Sequence, residues 1–170
     1  DLQKTCFSYG LTSLHDCGIS EETLELLEKA QSQNVLKMKI FALMKDDPDY
    51  YDRWIKKGRY TNKNITVGGF KVYSDGALGS RGACLNHDYA DKKGWKGFLL
   101  SDRKHFEDLA KKLKNSNLQM CTHAIGDSAN RTILQIYGEV LGIKHARRWR
   151  IEHAQIVDKN DFDLFGKYSI

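Results

Sequence analysis

The sequence predicts an α/β fold built on a parallel sheet, and three observations carry that expectation. Short apolar runs alternate with segments of helical periodicity along the 170 residues. "VLKMKIFALM" (35–44) is almost continuously apolar, the pattern of a strand covered on both faces. "CTHAIGDSAN" (121–130) ends an apolar run in a histidine, breaks at Gly-Asp and opens a helix. Parallel α/β folds place their chemistry at such strand-to-loop transitions.

The elements follow in order. "DLQKTCFSYG" reads as a helix with Leu2, Cys6 and Tyr9 on one face, stopped by Gly10. A short strand is expected near 11–15, with turn or hydrogen-bonding roles for His15 and Asp16 at its end. Ser20 caps a second helix that carries Glu21 and Glu22 in its first turn and buries Leu24, Leu27 and Ala30. After the strand at 35–44, the polar stretch with Pro48 holds a short helix around Asp49–Lys57. "ITVGGFKVYSDG" (65–76) is the next strand, interrupted by Gly68 and Gly69. A long loop reaches Ser101, which is expected to cap a helix burying Phe106, Leu109, Ala110 and Leu113. Strands near 118–123 and 149–154 flank a helix carrying Ile133, Leu134, Ile136, Tyr137, Val140 and Leu141, and Asp158 starts a last short helix. Five strands alternating with helices imply right-handed crossovers in one parallel sheet. No linker or low-complexity tract divides the chain, so residues 1–170 are expected to form one domain.

Composition narrows the function. Hydrophobic residues make up 41% and charged residues 29% of the chain, and no apolar run reaches membrane-span length. The net charge of +5 is spread out. Its densest cluster, "ARRWR" (146–150), reads as a solvated strand entry rather than a nucleic-acid platform, because aromatics do not interleave with the basic residues. Cys6, Cys17, Cys84 and Cys121 form no C-x-x-C pair and are expected as buried thiols of a reducing, cytoplasmic compartment.

Three residues stand out chemically. Lys71, in "FKVYS", lies inside an apolar strand, where an ammonium is costly unless paired or modified. It reads as an edge lysine, a Schiff-base lysine or a carbamylated metal ligand. His123 and His153 end consecutive strands, where two imidazoles can face one spot and bind a metal. Each alone reads as a hydrogen-bonded structural histidine. Asp75 and Arg81 in "SDGALGSRG" are the expected substrate-binding residues, with Arg81 and Ser80 offering donors to an anionic group. Gly76, Gly79 and Gly82 permit close approach of the backbone. Asp127 is expected to cap the following helix.

"GLTSLHDCG", "FKVYSDGALGSR", "CTHAIGDSAN" and "RIEHAQIV", in this order, resemble motifs of the amidohydrolase superfamily. The branch they resemble is the YtcJ-like metal-dependent hydrolases, which include N-substituted formamide deformylase-like proteins. The resemblance covers nearly the whole chain. It implies a (β/α)8 TIM-type barrel of which this chain is a part, about strands 2–6, with flanking helices. It also implies a divalent metal, zinc, as one or two ions in a longer parent, held here by Lys71, His123 and His153. The family's strand-1 H-x-H and strand-8 aspartate have no match in this chain. The implied function is hydrolysis of non-peptide carbon–nitrogen bonds, of the amide or formamide type, on a small-molecule substrate. The general base is then expected outside the chain, the slice alone is expected to be inactive with Lys71 unmodified, and its open barrel edges favour self-association. Two other readings stand beside it: a Schiff-base lyase or aldolase using Lys71, and a non-catalytic interaction module.

Overall fold

The computed structural model describes residues 1–170. Its strands are β1 (Ser13–Ile19), β2 (Lys39–Lys45), β3 (Tyr60–Asn62), β4 (Ile65–Tyr73), β5 (Gln119–Ala124) and β6 (Arg150–His153). The helices are α1 (Leu2–Ser8), α2 (Glu21–Ser32), α3 (Pro48–Lys57), α4 (Arg103–Leu113), α5 (Asp127–Leu141) and α6 (Phe162–Tyr168). A 3-10 turn at Lys159–Asp161 leads into α6. The strand order is β1-β2-β4-β5-β6, with β3 beside β4. The chain divides into two compact units, Asp1–Lys71 and Val72–Ile170.

In the first unit, β1 pairs with β2 and β2 with β4, both parallel. Ile40, Ala42, Leu43, Met44, Ile65, Val67 and Phe70 are buried, as expected of strands covered on both faces. The β2–β4 register shifts at Ala42/Leu43, where Val67 and Gly69 are successive partners and Gly68 is skipped. A Cβ on Gly68 would run into the Phe41 ring, so the glycine that interrupts the apolar run marks an irregularity where a larger residue would have to displace that ring. β3 was not expected. Three residues are too few to show periodicity, and the strand exists because a tight turn brings Tyr60–Asn62 antiparallel onto Val67–Ile65.

The helices of this unit follow their sequence signals, with one difference. The Ser20 hydroxyl accepts the Thr23 N–H at 3.2 Å, as an N-cap should. Ser20→Ala should therefore cost about 1 kcal/mol in denaturant unfolding. Leu24 is buried, but Leu27 and Ala30 are only partly so. Gln31 is buried instead. Its amide donates to the Asn62 carbonyl at 3.0 Å and accepts the Asn64 N–H at 2.9 Å, closing the β3–β4 turn. The unit also holds a cavity of about 380 Å³, lined largely by apolar side chains such as Leu14, Leu27, Met38 and Ile40 and by none of the expected site residues.

In the second unit, β5 and β6 are parallel, with Cys121 opposite Arg150 and Ala124 opposite His153. Ile133, Leu134, Ile136, Tyr137 and Val140 of α5 are buried. The N-cap of α4 is Asp102, not Ser101: its carboxylate accepts the His105 N–H at 2.9 Å. Both residues suit a cap, and the carboxylate one position later is the one in reach. The basic cluster is structural. Arg147 donates to the carbonyls of Leu113 and Ser116, Trp149 is buried, and Arg150 pairs with Glu152 at 2.6 Å. Of the cysteines expected as buried thiols, Cys6 and Cys121 are buried, and Cys17 and Cys84 are only partly so. All four cysteines are free thiols. No helix is long and apolar enough to cross a membrane.

The Tyr137 phenol shares a hydrogen bond with the Thr122 hydroxyl at 2.7 Å and donates to the Met120 carbonyl at 3.1 Å. Burial pushes its pKa well above the ordinary tyrosine value. The folded state then keeps a proton that the unfolded chain releases. The stability this provides is intact below the unfolded pKa, about 10, and is lost as pH rises towards the folded value. Urea midpoints should fall between about pH 9 and about pH 11, and Tyr137→Phe should flatten that slope.

Candidate functional site

The site residues of the second unit sit at the C-terminal ends of its strands. Met120, Cys121 and Thr122 are buried, and His123 is half-buried where β5 gives way to the loop. His153 is the last residue of β6 and exposed. Its φ is 75° and that of Ala154 is 43°. Two successive non-glycine residues in the left-handed region are costly, and such backbone strain concentrates at functional sites. The two imidazoles meet edge to face, with centroids 4.8 Å apart. The Tyr73 ring lies 5.5 Å from that of His123 and is 45% exposed.

Asp75 organises the backbone around this pair. Only 1% of it is exposed. Oδ1 accepts the Ile125 N–H, and Oδ2 accepts those of Gly126 and Cys84, each at 2.9 Å. Nε2 of His123 lies 3.5 Å from Oδ1. The expectation that Asp75 reaches a substrate meets a carboxylate turned inward onto three peptide groups. The side chain of Arg81 lies on the surface and grips Asp91 with both Nε and Nη2, the latter at 2.8 Å. Arg81 itself adopts a left-handed φ of 60°.

Asp127 differs from expectation by one position. Gly126 is the N-cap of α5, and Asp127 is the first helical residue. Its carboxylate takes the N–H of Ser128 and both the N–H and the side-chain amide of Asn86, tying the long loop to the helix. The Cys84 thiol is pushed up in pKa, chiefly by burial, which disfavours a reactive thiolate. Ala83 and Tyr89 of that loop form a small core with Ile125, which follows β5.

Asn130 was missed. It is fully buried, and its amide donates to the carbonyls of Ala124, Gly126 and Ile156, joining the loops that follow β5 and β6. A signal was present: Asn130 lies three, four and seven residues before Ile133, Leu134 and Tyr137, on the buried face of the helix. Lys71 belongs to the first unit. It is 4% exposed and stands opposite Lys45 in the β2–β4 register.

A divalent ion of borderline softness suits paired imidazoles. His123 and His153 are two such donors already side by side. No three His, Cys, Asp or Glu side chains are gathered to hold a metal, so a complete coordination shell needs ligands beyond these types or beyond this chain.

Alternating strands and helices with imidazoles at consecutive C-terminal strand ends have the construction of a catalytic barrel rim. The chain belongs to the amidohydrolase family, whose sequence pattern matches residues 1–167. It is 28% identical over 160 residues to "Putative amidohydrolase YtcJ" of Bacillus subtilis (strain 168), covering 91% of this chain and 30% of that protein. It is 34% identical over 121 residues to "Protein LONG AFTER FAR-RED 3" of Arabidopsis thaliana, covering 70% of this chain and 21% of that protein. Two crystal structures of uncharacterized metal-dependent hydrolases are similar in fold. That from Pyrococcus furiosus has a TM-score of 0.83 at 26% identity, over 96% of this chain and 34% of its own. That from Pyrococcus horikoshii OT3 has a TM-score of 0.82 at 27% identity, over 95% and 32%. In fold class the chain is a partial TIM-type barrel of five parallel strands with flanking helices. It spans about a third or less of each of these relatives.

Proposed function

We propose that the chain is part of a metal-dependent hydrolase acting on non-peptide carbon–nitrogen bonds of a small-molecule amide or formamide, with zinc as its metal. The observation that carries this reading is the His123–His153 pair, 4.8 Å between centroids at adjacent strand ends. When bound, such an ion polarises a carbonyl and makes water a nucleophile near neutral pH. His123 and His153 supply neutral nitrogen ligands, and Lys71, a buried lysine in an apolar strand, is the third proposed ligand. The Tyr73 ring forms an aromatic wall beside His123. Arg81 is the proposed contact for an anionic substrate group, because the side chains of Arg81 and Asp91 are 43% and 63% exposed and their pair is open to exchange. The family membership supports hydrolysis. The free thiols support a cytoplasmic setting.

Zinc titration of the 170-residue chain tests the metal reading. His123→Ala and His153→Ala should each weaken zinc binding by roughly tenfold or more without shifting the thermal melt. Zinc affinity unchanged from the native chain in both variants would remove the pair from the metal site. The chain by itself should not turn over N-formyl or N-acyl amines, since metal ligands and general base act as a unit. Metal-dependent turnover by the purified chain would overturn that. Self-association is proposed through β6, which offers an unpaired edge beyond β5. Light scattering at micromolar concentration should show species larger than a monomer, and a sharp monomer would exclude it.

A further inference from the structure

We infer that Asn130 is a positioning residue that holds His153 in its left-handed turn and so keeps the two strand-end imidazoles together. In the β5–β6 ladder, Ala124 stands opposite His153 and His123 opposite Glu152. Paired residues of neighbouring strands share a face, and successive residues of one strand take opposite faces. A regular β6 would therefore put His153 on the face away from His123. The rings nevertheless meet, with centroids 4.8 Å apart. The backbone resolves the conflict. A φ of 75° at His153, against about −120° in a parallel strand, swings its Cβ across to the other side. The Ala154 N–H donates to the Glu152 carbonyl at 3.1 Å, which closes a three-residue turn of the rare, strained kind.

Such strain persists only where the surroundings enforce it, and Asn130 sits at the enforcing point. The chain leaving β5 advances one residue, from Ala124 to Ile125. The chain leaving β6 advances three, from His153 to Ile156, over the same step: the Ile156 N–H donates to the Ile125 carbonyl at 2.9 Å. Three extended residues reach about 10 Å and one about 3.3 Å. The longer chain has to fold back, and the left-handed pair His153–Ala154 takes up the excess. Asn130 locks that mismatch. Its fully buried amide donates to the Ile156 carbonyl at 3.1 Å. It also donates to the carbonyls of Ala124 at 3.3 Å and Gly126 at 2.9 Å, which flank Ile125. Both backbone groups of Ile156 are thereby tied to the loop after β5. Any consequence for metal binding rests on the proposed ligand role of His153. The positioning itself does not.

A double-mutant cycle on the 170-residue chain separates this role from ordinary burial. Ala154, with φ 43°, is the strained neighbour that glycine relieves. Ala154→Gly should raise the folding equilibrium constant in urea titrations by roughly threefold to tenfold. The hydroxyl of Asn130→Ser can serve the Gly126 carbonyl within its own helix but is too short to bridge to Ile156 as well. The turn then relaxes, and Ala154→Gly in that background should gain less than about twofold. Nuclear Overhauser contacts between the ring protons of His123 and His153, present in the native chain, should disappear in Asn130→Ser. No gain from Ala154→Gly in the native chain, an undiminished gain in Asn130→Ser, or intact ring contacts there would each overturn the inference. If Asn130→Ser does not fold, adding Ala154→Gly should leave it unfolded, and restored folding would equally defeat the inference. Failure of zinc to bind the native chain would sink the metal reading and leave the result of the cycle standing.

Discussion

Gly126→Ala is expected to destabilise the chain by about 3 kcal/mol, the upper end of ordinary overpacking. Gly126 has φ −78° and ψ 154°, values that any residue adopts, so backbone strain is not the reason. The reason is space. A Cβ at this position would overlap the carbonyl of Cys84 and stand 2.8 Å from its nitrogen. The obstacle is backbone, and it is anchored: the Cys84 N–H is held by Asp75, and its carbonyl accepts the Ala129 N–H at 3.3 Å. Neither the loop nor the start of α5 can yield without losing hydrogen bonds. Restricting the unfolded chain would return only about 0.4–1 kcal/mol. Urea unfolding at constant pH measures the difference. A loss under about 1 kcal/mol would mean that the Cys84 segment moves freely, against the rigidity argued here.

Trp149→Ala should cost about 3–5 kcal/mol, the range for removing a large buried aromatic. Trp149 is 1% exposed and packs edge-on against Tyr137 with centroids 5.0 Å apart. Its indole N–H donates to the Leu118 carbonyl at 3.2 Å. Truncation leaves a cavity beside α5 and a buried carbonyl without its donor. Trp149→Phe keeps the ring contact and should lose distinctly less. Trp149 also immediately precedes β6, so loosening it should reach His153 four residues on. Zinc affinity measured well below the unfolding transition should fall along with stability. A cost under about 1.5 kcal/mol would show that the site collapses around the smaller side chain.

Much of this architecture was legible because its signals are local. Apolar runs of strand length, helical spacing and the Gly-Asp break after His123 each involve residues within a few positions of one another. The same reasoning put His123 and His153 at consecutive strand ends, and both are there. The failures are local ambiguities or distant partners. Ser101 and Asp102 are neighbouring cap candidates, and only the geometry of the turn selects Asp102. Gly126 and Asp127 divide the capping duty in a way that spacing does not reveal. β3 rests on pairing across a turn rather than on any pattern of its own.

The residues alone determined the parallel α/β order and the strand-end histidines, because periodicity is written in the side chains of each segment, while the structure decided that Lys71 is buried rather than an edge lysine reaching water. Only the tertiary structure decided what Asp75 does. Its peptide partners lie 9, 50 and 51 residues away, and no spacing rule connects them. It likewise decided the left-handed backbone at His153 and the tight fit at Gly126. Both depend on how separate segments are forced together, and contacts between distant segments are energetic facts only once the fold has placed them within reach.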